Sequence, residues 1–357
     1  MLKSRPTPSG HSRHENTRTQ PINGHRIFNN PHIVTEGWYP VCRSSELKKK
    51  KARSFLIFKQ RIALYRTESG IVHALDAFCP HLGTDLGNGD VTGDNLRCYF
   101  HQWEFAGDGK LAKVACRKEL DRVLGEVKNK SYPVEERYGH IWVFAGETAT
   151  HPLPTPPGSE GEKLSALFLK EVTILAHHHV MMVNGIDLQH FATVHALDIK
   201  FDYQIEDDGK GVFNWTLEGE IPTNNLKGKL ARLLLGPRFR YRVKFAGGSI
   251  VSITYGEDQK FLGFKLPSLH ILWGCTPLVS GVSKIKIFFV TKKRNLLFNA
   301  LNYLATLGLI VLLKDEDIRA FPNMRFNTAR LISEDESVGR FIQLTNKLVA
   351  SKWGDEA

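Results

Sequence analysis

Two short stretches of this chain carry residues with metal-ligand chemistry. Cys79-Pro80-His81-Leu82-Gly83 and Cys98-Tyr99-Phe100-His101-Gln102-Trp103 form a C-x-H, sixteen-residue gap, C-x-x-H pattern. Two thiolates and two imidazoles suit tetrahedral zinc. They equally suit a two-iron, two-sulfur cluster with both cysteines on one iron and both histidines on the other. Neutral imidazole in place of thiolate raises such a cluster's reduction potential. Gly83, Gly87, Gly89 and Gly93 would let backbone amides approach bridging sulfides.

A second constellation lies in Asn184-Gly185-Ile186-Asp187-Leu188-Gln189-His190-Phe191-Ala192-Thr193-Val194-His195. Asp187 and His190 are three apart, so a helix sets them on one face. His195 is five beyond His190, a rotation of about 140° on an ideal helix. Both imidazoles can meet one ion only if the helix widens or ends between them. Two histidines, one carboxylate and open positions make the facial site of non-haem Fe(II) chemistry. The carboxylate must come from elsewhere, and Asp315, Glu316 and Asp317 are the candidates.

The elements that must position these residues are legible in outline. Short β-rich runs, including Phe55–Phe58, Ile62–Tyr65, Ile71–Leu75 and Ile141–Phe144, alternate with Gly- and Asp-rich turns, predicting a small antiparallel domain over 36–150. Prolines crowd His151-Pro152-Leu153-Pro154-Thr155-Pro156-Pro157-Gly158, and 151–163 reads as a linker. Over 164–357 strands and helices mix: helix at Val180–Val194, strands at Val212–Leu217, Ser249–Thr254, Leu269–Trp273 and Lys284–Val290, then an amphipathic helix at Val338–Ser351. The pattern is α+β. Leu296–Leu313 is strongly apolar, but Asn299, Asn302 and Tyr303 interrupt it and it barely reaches ~20 residues, so a buried core helix is expected rather than a membrane span.

Lys and Arg total 48 against 37 Asp and Glu among 357 residues, a net of +11. Residues 1–61 hold nearly all the excess, with 13 basic and 3 acidic residues, so the body is close to neutral and a nucleic-acid partner is not expected. Residues 1–35 read as a basic, disordered leader. The leader lacks the apolar core of a secretory signal, and Pro6, Pro8 and Gly10 spoil the amphipathic helix of an organelle transit peptide. Five cysteines are too few for a disulfide framework, so a reduced, cytoplasmic setting is expected; Cys42, Cys116 and Cys275 read as buried free thiols. His177-His178-His179 resembles a metal tract but reads as a surface or partly buried run. Residues 221–256, with seven Lys/Arg and no acid, read as a solvated basic face, a substrate-entry flap, or a docking or membrane patch.

The paired loops followed by the D-x-x-H-x4-H segment resemble the Rieske non-haem iron oxygenases, in particular their terminal oxygenase component. Trp38–Leu47, Glu136–Val143, Thr193–Leu197 and Cys275–Ser280 carry a further likeness to the aminopyrrolnitrin oxygenase group, with steroid ring oxygenases and cholesterol desaturases more distant. The resemblance implies an N-terminal antiparallel Rieske [2Fe-2S] domain followed by a helix-grip (START-like) catalytic domain. It implies cluster ligands Cys79, His81, Cys98 and His101, and Fe(II) ligands His190, His195 and Asp317, the last because Asp317-Ile318-Arg319-Ala320-Phe321 fits the family's D-(V/I)-x-x-(W/F) pattern. Asp187 would link His190 to His101 of a neighbouring subunit in a head-to-tail homotrimer, and Asn184 matches a polar residue near the iron. The reaction implied is O2-dependent oxygenation of a hydrophobic organic substrate, aromatic or arylamine in kind. Electrons would come from NAD(P)H through a separate reductase, with or without a ferredoxin, and the exposed-looking Lys48–Lys51 run would steer an acidic partner. The competing readings are a Rieske electron-transfer protein without oxygenase activity and a zinc-stabilised binding module.

Overall fold

The computed structural model describes residues 26–354, apart from 116–123, 125, 196–197, 227, 230–231, 233–235, 258–259, 262–263, 266, 279–280, 321–323 and 325; at 260–261, 264–265 and 309–320 it describes the backbone alone. In chain order the first strands are β1 (Trp38–Arg43), β2 (Lys51–Ile57), β3 (Gln60–Arg66), β4 (Val72–Asp76) and β5 (Asp90–Thr92). They continue as β6 (Asn95–Arg97), β7 (Glu104–Phe105), β8 (Leu111–Lys113), β9 (Ser131–Tyr132), β10 (Val134–Arg137) and β11 (His140–Phe144). These pair into three small antiparallel sheets, ordered β1-β11-β10, β2-β3-β4-β9 and β5-β6-β7-β8. Turn glycines set the breaks: Gly70, Gly93, Gly109 and Gly139 all have positive φ, which residues with a Cβ adopt only at a cost.

The second domain is one seven-stranded antiparallel sheet with helices on one face. Its strands are β12 (Leu164–Ile174), β13 (Asp202–Asp207), β14 (Val212–Glu220), β15 (Arg238–Ala246), β16 (Ile250–Tyr255), then, after a small hairpin of β17 (Lys260–Phe261) and β18 (Phe264–Lys265), β19 (Leu269–Pro277) and β20 (Ser283–Lys292). The order is β12-β20-β19-β16-β15-β14-β13. Period-two alternation decides the faces. Phe213, Trp215 and Leu217 of β14 and Phe239, Tyr241, Val243 and Phe245 of β15 turn inward, onto α1 (His178–Asn184), α2 (Leu188–Thr193) and a helix near the C-terminus. The remaining helices are α3 (Leu296–Ala320) and α4 (Glu336–Thr345). Phe341 of α4 packs against Trp215 and Phe245.

The opposite face of the sheet seats the first domain. Ala246, Ile250, Leu272, Phe288 and Val290 share one buried cluster with Trp38, Tyr138, Trp142 and Phe144. At ~1.5–3 kcal/mol for each large apolar side chain removed from water, this contact is a core in its own right. The approach is close: a Cβ on Gly274 would come within 2.7 Å of Pro40 and 2.8 Å of Trp142.

Two segments differ from expectation. Residues 26–35, read as the end of a disordered leader, are packed: Ile27, Phe28 and Ile33 join the second domain's core and Val34 the first domain's. Ile27 and Phe28 are 1% exposed, and their amides donate to Asn346 Oδ1 at 2.9 and 3.0 Å. The proline-rich stretch is a packed strap rather than a free linker: its carbonyls at His151, Leu153, Pro154 and Pro157 accept from Trp38, Arg137, Tyr138 and Thr254. Proline removes donors from this strap but leaves every carbonyl available to both domains. The chain end returns to the first domain, where Trp353 packs on Tyr132 with ring centroids 5.0 Å apart.

Candidate metal centres

The loop after β4 and the loop joining β6 to β7 close in the same way. Gly83 donates its amide to the Cys79 carbonyl at 2.8 Å, and Gln102 donates to the Cys98 carbonyl at 3.0 Å. Both closing residues are left-handed, with φ of 77° and 55°. Cys79 and Cys98 point into a buried cluster with Leu86, Leu96 and Phe105. The histidines stay on the rim: the rings of His81 and His101 lie 4.5 Å apart, and His81 stacks on Trp103 at 4.4 Å and 1°.

Burial first, with the adjacent Cys98 adding to it, pushes the Cys79 thiol up to about 11. A buried thiol that is costly to ionise is relieved by a bound iron or zinc cation, since metal binding releases the proton. The donor set, two inner sulfurs and two rim imidazoles, fits a [2Fe-2S] group. Cys42 and Cys275 are buried free thiols, as expected; burial pushes Cys42 up to about 12. Cys116 lies outside the described residues.

The second site sits where the helix read over 180–194 breaks into two. Gly185 and Ile186 separate α1 from α2, and the Asp187 carboxylate caps α2 by accepting from the Gln189 amide at 3.0 Å. Such a cap is worth ~1 kcal/mol and fixes where the second helix begins. That helix ends at Thr193, and the His195 amide reaches back to the His190 carbonyl at 3.2 Å. This five-residue closure is the widening the spacing required. It brings both buried imidazoles to 5.0 Å between centroids, inclined at 72°. His190 Nδ1–H donates to the Asp187 carbonyl, which fixes the tautomer and makes Nε2 the nitrogen that could ligate an ion.

Aromatic residues back the pair. Phe191 contacts Phe201 and Tyr241, and Tyr241 stacks on Tyr255 while donating its hydroxyl to the Gly185 carbonyl. Burial holds the Tyr241 phenol well above its ordinary value. Asn184 ends α1, half-buried, one residue before the break. Gln189 ties α2 to Asp335 at 2.7 Å, and Ser337 Oγ donates to the Ile186 carbonyl at 2.7 Å. These two anchors are far away in sequence, and no local spacing announces them. Asp317 falls on the backbone of α3, but its side chain lies outside the described residues, as do those of Asp315 and Glu316 and the whole of Phe321.

The triple histidine is not the surface run expected. His177, His178 and His179 are 5%, 2% and 2% exposed, and their nearest ring nitrogens lie within 4.8 Å of one another. Hydrogen bonds occupy Nε2 of His178 and His179, whereas His177 Nε2 is buried without a partner among the described residues. His177 Nδ1 accepts from the His179 amide at 3.2 Å and His179 Nδ1 from the Asn29 amide at 3.1 Å, so in both neutral rings Nε2 carries the proton. His178 and His179 aim Nε2 at the Gly248 carbonyl, at 2.9 and 3.2 Å. Burial pulls His178 down to about 4 and the other two well below their ordinary value. The cluster braces α1 against the Gly247-Gly248 turn between β15 and β16, where both glycines have positive φ.

The basic stretch 221–256 also resolves differently from a bare solvated face. Along β15, Arg240, Arg242 and Lys244 alternate with the inward aromatics and pair with Glu218, Glu257 and Glu160. The segment contains no acid because its partners sit on neighbouring elements.

Residues 37–132 match the Rieske [2Fe-2S] domain model. This stretch is a Rieske [2Fe-2S] domain. Its curated relatives carry oxygenase and desaturase names. The 4beta-methylsterol monooxygenase of Methylococcus capsulatus is 35% identical over 157 residues, 43% of this chain and 42% of that protein. The cholesterol 7-desaturase of Drosophila melanogaster is 31% identical over 275 residues, 70% of this chain and 63% of that one. Aminopyrrolnitrin oxygenase PrnD of Pseudomonas fluorescens is among the relatives too, at 30% over 184 residues, covering 49% of this chain and 50% of that one. The chain thus spans less than two thirds of each of these relatives. Among solved structures, dicamba monooxygenase bound to dicamba superposes with a TM-score of 0.56 at 18% identity, over 88% of this chain and 98% of that one. The fold is therefore that of the Rieske oxygenases, a Rieske domain followed by a mostly-sheet second domain, as the sequence implied. Among the described residues no helix is long and apolar enough to cross a membrane.

Proposed function

We propose that the chain is the terminal oxygenase of a Rieske non-haem iron system, oxidising a hydrophobic substrate with O2. The observation that carries this reading is the presence in one chain of both centres: the Cys79, His81, Cys98, His101 loops and the His190–His195 pair with His190 oriented by Asp187. When bound, the [2Fe-2S] cluster supplies electrons one at a time and the mononuclear iron supplies an O2-binding centre. Hydroxylation then balances as substrate C–H plus O2, two electrons and two protons giving C–OH and water. This chain's own residues hold and orient. Cys79, Cys98, His81 and His101 hold the cluster. His190, His195 and Asp317 hold Fe(II), and Asp187 fixes His190 through its carbonyl. Phe191, Phe201, Phe239 and Tyr241 pack together behind the histidine pair and keep water from that side of it.

The same reading assigns Asp187 a second task, passing electrons between His101 of one subunit and His190 of the next in a head-to-tail trimer. Asn caps a helix about as well as Asp, so Asp187→Asn should keep both metals while slowing cluster re-oxidation in a single turnover by more than about tenfold. Unchanged re-oxidation would remove Asp187 from the path. The electron donor is an NAD(P)H-dependent reductase, directly or through a ferredoxin, docking near the exposed Lys48–Lys51 run.

Sterol names attach to two of the relatives above, one of them aligned over most of this chain, so a sterol-type substrate is favoured over an arylamine. The test is O2 uptake with a surrogate reductase across sterols, aryl amines and aromatic acids. Uptake stimulated by a sterol, with iron and inorganic sulfide in the purified protein, is the expected result. A colourless, zinc-loaded protein lacking sulfide would overturn the oxygenase reading.

A further inference from the structure

The first half of α3 is amphipathic in the wrong sense for a core helix. Its inward side is polar: Asn302 and Thr306 are 4% and 1% exposed, Asn302 Nδ2 donates to Thr291 Oγ1, and the Tyr303 hydroxyl donates to Ser165. Its outward side is leucine. Leu296, Leu297, Leu301, Leu304 and Leu307 are 87%, 69%, 58%, 62% and 39% exposed. At ~100° per residue they fall on one half of the helix surface. Ala300, Ala305 and Gly308 fill the gaps between them, all exposed. Leu167, 44% exposed and two residues beyond Ser165 on edge strand β12, continues the patch onto the sheet. A patch of this kind on a water-facing helix marks an interaction surface.

Charge tells what covers it. Lys163, Lys293 and Arg294 are exposed at the N-terminal end of the same helix, beside Lys292, which Glu162 pairs at 2.8 Å. No acidic residue occurs from Lys292 through Lys314. Leucines on one side of a helix with a basic cluster at its end make an interfacial anchor for an anionic bilayer. Anionic lipid headgroups would neutralise the exposed Lys163, Lys293 and Arg294 together. A cavity of about 380 Å³ opens at this end of the helix, with Lys292, Arg294, Phe298 and Asn302 in its wall.

We infer that the outward face of α3 docks on anionic lipid membranes, lying in the interface rather than crossing it. The inference does not depend on the oxygenase reading, and binding is read without turnover. The experiment is flotation of the full-length holoprotein with phosphatidylcholine vesicles with and without phosphatidylglycerol. Wild type should float with the anionic vesicles and release as salt is raised. Leu301→Glu/Leu304→Glu should lower the bound fraction by roughly tenfold, while Lys293→Glu/Arg294→Glu should abolish the preference for anionic lipid. Both pairs are exposed, and the cluster's visible absorption checks that each variant is folded. Wild type that stays in the soluble fraction, or leucine variants that float like wild type, would overturn the proposal. So would a leucine variant whose only change is a smaller assembly by light scattering, since the face would then join copies of the chain.

Discussion

Gln102 holds a conformation that the matching position on the other loop gives to Gly83. Both close a turn onto a cysteine carbonyl, and both are left-handed. A side chain in that region costs ~1–2 kcal/mol, of which glycine's extra freedom in the unfolded chain returns part. Gln102→Gly is therefore expected to stabilise the protein by ~0.5–1 kcal/mol, seen as a higher thermal midpoint with the same cluster spectrum. Gln102→Ala should give no such gain. At this scale the spacing of the candidate ligands was legible. Cys79/His81, Cys98/His101 and His190/His195 each lie within a few positions of one another, so spacing alone limited how they could meet. His177–His179 was not legible at the same scale. Its burial and its tautomers depend on Gly248 and Asn29, which are far away in the chain.

Elements were legible where their pattern was one-sided. The strands at 212–217, 269–273 and 284–290 exist and run longer than expected, to Glu220, Pro277 and Lys292, and the one expected at 249–254 is shifted by one residue to Ile250–Tyr255. Strand β15 was hidden because arginines and a lysine occupy every outward position between its inward apolar residues, so the stretch looked basic rather than alternating. Helix α3 was found, but its facing was not. Leu296–Leu313 is apolar nearly all round, and only the partners Thr291 and Ser165 decide that the asparagine side turns in. The contact between the two domains belongs to this scale as well. Gly274→Ala places a Cβ against Pro40 and Trp142 and is expected to cost ~1–3 kcal/mol through overpacking. Thermal or urea unfolding would measure it, and a neutral result would show that the interface gives way more easily than its packing suggests.

The molecule as a whole carries an acid sensitivity in its buried histidines. Burial holds His140, His178 and His270 at about 4, against an ordinary value of ~6.5 in the unfolded chain. Below pH ~6.5 the unfolded chain takes up protons that the folded rings refuse until about 4, so stability is full above that range and falls as the pH drops through it. The thermal midpoint should be flat between pH 7 and 8 and decline steadily toward pH 5. His140 lies between Phe168 and Phe288, so His140→Phe is expected to lessen the decline, and an unchanged slope would assign the acid sensitivity elsewhere. The sequence by itself determined the ligand types, the order of the two domains and the break needed between His190 and His195, because each is a matter of chemistry or spacing within a short stretch. Tertiary structure alone decided that residues 26–35 and the proline strap are packed, that β15 turns its arginines toward paired acids, and that α3 presents leucine outward. Those outcomes turn on which distant segment covers a given face, and a local pattern fixes the faces of an element without fixing what lies against them.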